Sequence, residues 1–337
     1  MKAIVHKKYG TPDVLEIQQV DMPTPKEDEV LVRVHASSVN IAQWYGMTGL
    51  FIARVGNGLF KPQDTRLGSD FAGVVEQVGK EVRDFMPGDR VFGGRHGAIA
   101  EYVTVSKGIA PMPSNATFEQ AAALATAGIT ALQGLRDYGK IQPGQNVVIN
   151  GASGGVGSFA VQIAKAFGAQ VTAVCSTRHV ESARALSADY VFDYTKQDFT
   201  RSRNKYDLLF DVNGRGWWFE YKRVLTPNAR VVVAGGPRTP LIGPLSHIIQ
   251  LKIASLGSKH PAVFFIANFT REDMCCLRDL VESGKVKPLV ERVYPFNETA
   301  EAMRYLGEGH AQGKIVVRVR EEEKEFSTFA RSHRGKQ

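Results

Sequence analysis

Apolar and polar positions alternate in short bursts over the first third of the chain, and then the period changes. Glu29-Val30-Leu31-Val32-Arg33-Val34, Gly73-Val74-Val75-Glu76-Gln77-Val78-Gly79 and Asp89-Arg90-Val91-Phe92 are brief β-type runs separated by turn residues. In Pro87-Gly88-Asp89 the proline presets φ and the glycine permits a positive one. Closely spaced strands of this kind predict a compact β-barrel domain, and Met1-Lys2-Ala3-Ile4-Val5 reads as its first strand. From about residue 121 the spacing turns helical: Ala121-Ala122-Ala123-Leu124 opens a helix that runs through Leu135. Pro143-Gly144 breaks the chain. Strands at 147–150, 170–175, 190–193, 206–212 and 230–234 then alternate with helices near 155–167, 179–187 and 217–225. These strands are apolar throughout, as in a parallel sheet covered on both faces. A helix over 271–283 and strands at 289–294 and 314–319 follow, expected to return to the first domain.

The expected architecture is therefore α/β. Residues 1–121 and 267–320 form a β-rich domain, residues 122–266 a doubly wound parallel-sheet domain, and residues 321–337 a charged, disordered tail.

The run Val147-Val148-Ile149-Asn150-Gly151-Ala152-Ser153-Gly154-Gly155-Val156-Gly157 carries the most chemistry. A β-branched strand turns through glycines into a segment with Val156, Phe159, Ala160, Ile163, Ala164 and Phe167 at helical spacing. This is the dinucleotide-binding βα turn. Glycines let the backbone approach a pyrophosphate, and the amides and dipole at the helix start attract its charge. Gly151, Ser153, Gly154, Gly155, Val156 and Gly157 are the expected cradle; a plain glycine-rich turn is the alternative.

The following strand decides which nicotinamide cofactor is expected. An NAD site places an acidic residue at its end, about 20 residues past the glycines. Here Gln170–Cys175 ends in Ser176-Thr177-Arg178, with Arg178 21 positions after Gly157. Hydroxyls and a guanidinium suit a 2′-phosphate, which a carboxylate would repel. NADPH is thus expected over NADH. Alternatively, Arg178 is a solvated residue of the next helix's first turn.

The 337 residues are 43% hydrophobic and 23% charged, within the range of a soluble globular protein long enough for two domains. No segment approaches the ~20 apolar residues of a membrane span, and the start lacks a secretory signal pattern. Cys175, Cys275 and Cys276 make no disulfide framework, and a reducing cytoplasm is expected. The net charge of +8 is spread along the chain without a basic–aromatic platform, so no nucleic-acid partner is expected.

Leu67-Gly68-Ser69-Asp70-Phe71-Ala72-Gly73, Pro87-Gly88-Asp89-Arg90-Val91, Ala100-Glu101-Tyr102-Val103, the glycine run and Gly313-Lys314-Ile315-Val316 occur in that order over about residues 1–319. In these phrases the chain resembles the medium-chain dehydrogenase/reductase superfamily, and within it the zinc-free quinone oxidoreductase branch. The resemblance implies a GroES-like β-barrel catalytic domain beside a Rossmann cofactor domain. Zinc-dependent members carry their ligands at positions that align with Asn40, Ser69 and Ala127, so no metal is implied here.

The resemblance further implies hydride transfer from NADPH to a quinone or an α,β-unsaturated carbonyl. A non-catalytic NADPH-binding redox sensor or partner protein, a double-bond reductase acting on one metabolite and a zinc-free alcohol dehydrogenase are the alternatives. Asn40, Thr126 and Thr130 resemble positions near the nicotinamide, and Tyr194 one near the adenosine end. Asn213 and Ala234-Gly235-Gly236 follow strands whose carboxyl ends face ligands in open α/β sheets. Each has a plainer alternative: Tyr194 as a packing residue at a helix start, Asn213-Gly214 as a simple turn, Thr130 as a hydroxyl bonded back into its own helix. Asn40, Tyr45 and His96 are the catalytic candidates, with a solvated loop or core packing as alternatives and water as another proton source. Loops 45–51 and 260–265 are expected to shape the acceptor pocket. A homodimer is expected if the 262–266 run pairs as an edge strand across a two-fold axis; internal burial is the alternative.

Overall fold

The computed structural model describes residues 1–214, 216–236 and 244–321. The expected tail therefore lies, but for residue 321, outside the described residues. Strands β1 (Lys2–His6) and β2 (Leu15–Gln19) pair antiparallel. Next come β3 (Val30–Val39), helices α1 (Ile41–Thr48) and α2 (Phe51–Asn57), then β4 (Asp70–Val78), β5 (Arg90–Gly94), β6 (Tyr102–Val105) and β7 (Ile109–Pro111). Helices α3 (Phe118–Ala122) and α4 (Ala125–Gln133) lead into β8 (Asn146–Asn150), α5 (Gly155–Ala166), β9 (Gln170–Cys175), α6 (Val180–Ala185) and β10 (Tyr190–Asp193). The chain continues through β11 (Tyr206–Asp211), α7 (Trp218–Lys222), β12 (Leu225–Val233), α8 (Pro244–Ala254) and β13 (Ala262–Phe264). It closes with α9 (Arg271–Glu282), β14 (Val290–Pro295), α10 (Thr299–Glu308) and β15 (Lys314–Arg318).

Two large sheets organise these elements. The first has the order β14-β15-β3-β4-β5-β7, with β6 also on β3. Register shifts along β3 and β4 mark bulges, which bend a sheet around its own core. Val32, Val34, Phe71, Val91, Val103 and Ile109 fill that core. The second sheet runs β10-β9-β8-β11-β12-β13, all neighbours parallel. Strand order reverses between β8 and β11, which opens a ligand crevice at their carboxyl ends.

Both faces of the second sheet are buried, as its apolar strands require. Val147 and Ile149 pack with α4 and α5 on one face, while Val148 packs with Trp218, Tyr221 and Leu251 of α7 and α8 on the other. The first face is continuous through α3 and α4 with Ala72 and Phe92 of the first sheet, so one core joins the two sheets.

Several elements differ from expectation. The helix expected from 121 to 135 is two helices with a break at Ala123–Leu124, ending in a wide turn where Gly139 N–H bonds Gly134 C=O at 2.8 Å. The helix near 217–225 stops at Lys222, because β12 claims Leu225 onward. The 45–51 segment is not a loop: α1 and α2 occupy it, and the Trp44 ring covers Gly307 of α10. Strand β13 pairs with β12 and forms the sheet's edge, so part of the 260–265 segment is strand as well. No helix among the described residues is long and apolar enough to cross a membrane.

Candidate active site

The glycine turn is built as its sequence demands. Gly151 holds φ +94°, a left-handed value that other residues avoid. A Cβ on Gly157 would lie 2.1 Å from the Gly151 carbonyl oxygen, so only glycine lets α5 pack this close to β8. The first bond of α5 runs from Ser158 N–H to Gly154 C=O, which leaves the first-turn amides of Val156 and Gly157 without partners inside the helix. A Cβ built on Gly154 meets no atom within 4 Å, so there is open space where a pyrophosphate would approach. Anion-seeking amides beside an open backbone fit the pyrophosphate of a dinucleotide.

At the end of β9 the three expected phosphate contacts differ. Arg178 is exposed and Ser176 half-buried. The Thr177 hydroxyl donates to Asp193 Oδ2 at 2.6 Å, and Thr195 Oγ1 donates to Asp193 Oδ1 at 2.7 Å. These hydroxyls, the Thr177 one foremost, hold the Asp193 carboxyl at about 2. Tyr194 is 55% exposed, in the turn that follows β10. Beneath them, burial pushes the Cys175 thiol up to about 11, which leaves it a neutral, inert core group.

A second cluster gathers Asn40, Ser69, Thr126 and two charges. Asn40 closes the first turn of α1 through a reciprocal bond with Gln43. Its Nδ2 donates to Ser69 Oγ at 3.0 Å and to Asp70 Oδ2 at 2.9 Å. Ser69 Oγ lies 3.1 Å from Thr126 Oγ1, and Thr126 donates both its amide and its hydroxyl to Asp70 Oδ1. Lys314 Nζ donates to Asn40 Oδ1 and stands 3.5 Å from Asp70 Oδ2, both side chains fully enclosed. Burial lowers the Lys314 ammonium from its ordinary value, and Asp70 opposes that. Thr130 bonds back to the Thr126 carbonyl at 2.7 Å, which is its plainer alternative.

The two clusters touch. Gly313 N–H bonds Ser153 C=O at 2.8 Å, and a Cβ on Gly155 would lie 3.0 Å from the Lys314 stem and 3.8 Å from Ala127 Cβ. In the crevice between β8 and β11, Asn213 N–H reaches Asn150 C=O at 3.2 Å. The loop after β12 packs against it: a Cβ on Gly214 would strike Gly236, and one on Gly235 would strike the Val212 carbonyl. Ala234 N–H bonds Asp211 C=O at 2.8 Å. The crevice floor is a buried network in which Asp211 takes bonds from Asn150 at 2.9 Å, Tyr221 at 2.8 Å and Gly214 N–H at 2.9 Å, with His247 2.8 Å away.

The other two catalytic candidates stand apart from these bonds. His96 is 55% exposed and pairs with Asp64 at 3.2 Å, beside Arg66. Tyr45 is half-buried on α1.

Gln43, Asp193 and the Asp211–His247–Tyr221 network had no expected role, and Asp70 and Lys314 were read only as parts of motifs. A charge opening an otherwise apolar strand, as in Asp70-Phe71-Ala72 and Lys314-Ile315-Val316, was the available signal.

The donor set does not suit zinc. Lys314 brings a cation, Asn40 and Gln43 turn N–H groups inward, and Ala127 has no donor atom. Among the described residues no three His, Cys, Asp or Glu side chains converge.

Residues 26–114 match a family described as the alcohol dehydrogenase GroES-like domain, and residues 186–317 one described as zinc-binding dehydrogenase. The chain is 34% identical to a 2-methylene-furan-3-one reductase of Solanum lycopersicum, across 94% of this chain and 79% of the relative. It is also 34% identical to a chloroplastic NADPH-dependent alkenal/one oxidoreductase of Arabidopsis thaliana, with the same coverage. Among solved structures, the quinone oxidoreductase from Coxiella burnetii superposes with a TM-score of 0.82 at 30% identity, covering 95% of this chain and 99% of that one.

Proposed function

The chain belongs to the zinc-independent, quinone oxidoreductase-like medium-chain dehydrogenases/reductases, and from that premise we propose that it transfers a hydride from NADPH to an α,β-unsaturated carbonyl or a quinone. The observation that carries this reading is the junction of the glycine turn with the Asn40–Ser69–Thr126 cluster through Gly313 and Lys314. In this reading a site for an anionic dinucleotide adjoins a polar cluster whose donor set does not suit zinc.

NADPH, when bound, supplies the hydride. The amides of the α5 first turn and the space over Gly154 take its pyrophosphate. Ser176 and Arg178 meet the 2′-phosphate, with Thr177 held beside them by Asp193, and Tyr194 packs on the adenosine end. Asn213 and residues 234–236 line the crevice, while Asn40, Thr126 and Thr130 lie toward the nicotinamide. An already electrophilic conjugated carbonyl needs no Lewis acid to accept a hydride, whereas oxidation of a plain alcohol gains much from one. Residues 1–121 and 267–320 carry the acceptor and residues 122–266 the cofactor.

The protein acts as a homodimer in the cytoplasm in this reading. Edge strand β13, followed by Ile266 at 82% exposure, supports pairing between copies. Three free cysteines suit a reducing compartment. Light scattering at twice the chain mass agrees with the dimer, and a monomer refutes it.

Loss of nicotinamide absorbance with enones, quinones and simple alcohols tests the activity. Turnover on the first two supports the reading. Tight NADPH binding without turnover on any acceptor replaces it with the sensor alternative.

A further inference from the structure

Phe51 and Val55 stand one turn apart on α2, and each is more than half exposed. Past the end of α2 the chain carries a second apolar pair, Leu59 and Phe60, with Phe60 88% exposed. Their loop holds that pair out. Gly58 has φ +104°, and a Cβ on it would lie 2.3 Å from the Lys61 carbonyl oxygen, so the chain doubles back sharply with Leu59 and Phe60 at its tip. The base of the loop is pinned. The Tyr9 hydroxyl donates to the Gly58 carbonyl at 2.6 Å, and Gln63 N–H bonds the Asn57 carbonyl at 2.7 Å. The Asn57 side chain exchanges bonds with the Asp64 backbone at 2.9 and 3.1 Å. Large apolar side chains are thus fixed in water, where a slack loop would fold them away.

Cations frame these side chains. Lys7 and Lys8, both exposed, run into Tyr9, the residue that pins the loop. Arg54 of α2 lies over the Tyr9 ring at 4.7 Å, and exposed Lys61 follows Phe60. Asp64, at the base of the loop, is taken by Arg66 at 3.3 Å and His96 at 3.2 Å, which leaves the surface with an excess of positive charge. Exposed apolar side chains rimmed by charge mark an interaction surface. A second copy is a poor occupant: a two-fold contact sets a surface against itself, and here it would bring Lys7, Lys8 and Lys61 up to their own duplicates. An anionic bilayer complements the charge, and its fluid interior takes projecting side chains without a pocket of matching shape.

We propose that α2 and the loop after it form a docking surface for the anionic face of a phospholipid bilayer. Phe51, Val55, Leu59 and Phe60 enter the boundary between headgroups and acyl chains, while Lys7, Lys8, Arg54 and Lys61 meet the lipid anions. Few apolar groups and few charges each bind only marginally, so docking is reversible and needs both. The proposal goes beyond the reductase reading and does not depend on it.

The test cosediments the wild-type protein with vesicles of phosphatidylcholine alone and of phosphatidylcholine with about 30% phosphatidylserine. The expected preference for the anionic vesicles is about tenfold or more in apparent Kd, and it fades as salt shortens the Debye length. Leu59→Ser with Phe60→Ser lowers binding to anionic vesicles about tenfold. Lys7→Gln with Lys8→Gln and Lys61→Gln removes the preference between the two vesicles. All of these positions are exposed, so thermal midpoints and NADPH affinity stay at their wild-type values. Wild-type protein that ignores anionic vesicles overturns the proposal, as does a serine variant that binds them as tightly as wild type. If the serine variant does not fold, undiminished binding by the glutamine variant overturns it instead. A serine variant that elutes at a smaller size than wild type assigns the surface to a second copy and also overturns it. None of these outcomes bears on hydride transfer.

Discussion

Gly313 donates its backbone N–H to the Ser153 carbonyl at 2.8 Å, although one residue precedes the last strand of the first sheet and the other lies in the glycine turn of the second. The next residue, Lys314, reaches back to Asn40 and Asp70. The returning chain is therefore a pin between the glycine turn and the Asn40–Asp70–Thr126 cluster, and it sets the distance between the two.

Two neighbouring glycines separate packing from binding. Gly157→Ala places a methyl 2.1 Å from a backbone oxygen that cannot yield, so urea unfolding should show a loss of about 2 kcal/mol. NADPH affinity falls with it. Gly154 has an ordinary φ of −77° and open space, so Gly154→Ala should change stability by less than about 0.5 kcal/mol. It nonetheless weakens NADPH at least severalfold, because the methyl fills the approach to the pyrophosphate. Equal NADPH affinity in Gly154→Ala and wild type contradicts the cradle.

Arg178→Glu should separate the two nicotinamides. One charge-assisted bond to the 2′-phosphate is worth about 1.5–3 kcal/mol, or roughly 10- to 100-fold in Kd. Reversing the charge loses at least that for NADPH and little for NADH. Equal losses in paired fluorescence titrations contradict a phosphate contact at Arg178.

Lys314→Met leaves the Asp70 carboxylate enclosed without its cation. Breaking a buried pair by removing one partner costs about 3–5 kcal/mol; the Ser38, Asn40 and Thr126 donors that remain on Asp70 place the expected loss near the lower figure. Chemical denaturation reads it, and an unchanged midpoint contradicts the pairing.

Asp193 ties stability to acid. Its folded carboxyl sits at about 2, chiefly through Thr177, against about 3.9 in an unfolded chain. The stability it confers is present above about pH 4 and is lost as pH falls toward 2. Thermal midpoints of Asp193→Asn should thus decline less steeply than wild type across that window. Parallel declines contradict the assignment.

The glycine turn and the strand alternation from 147 to 234 were legible because local chemistry dictates them: Gly151 needs its φ and Gly157 its contact with β8. Helices α1, α2, α8 and α10 were not read. In α8, Pro-Leu-Ser-His-Ile-Ile-Gln-Leu-Lys-Ile-Ala carries apolar residues on several sides and gives no single stripe. Asp70 and Lys314 lie far apart in sequence, and only the pairing of β15 and β4 on either side of β3 brings them together. Thr177 read as a phosphate donor because nothing local reveals that Asp193, one strand over, takes its hydrogen.

The most direct test of the whole account mixes the purified protein with NADPH and a simple enone and follows nicotinamide absorbance, with NADH in parallel. The account predicts turnover that prefers NADPH and needs no added metal. Protein that binds neither reduced nucleotide contradicts it.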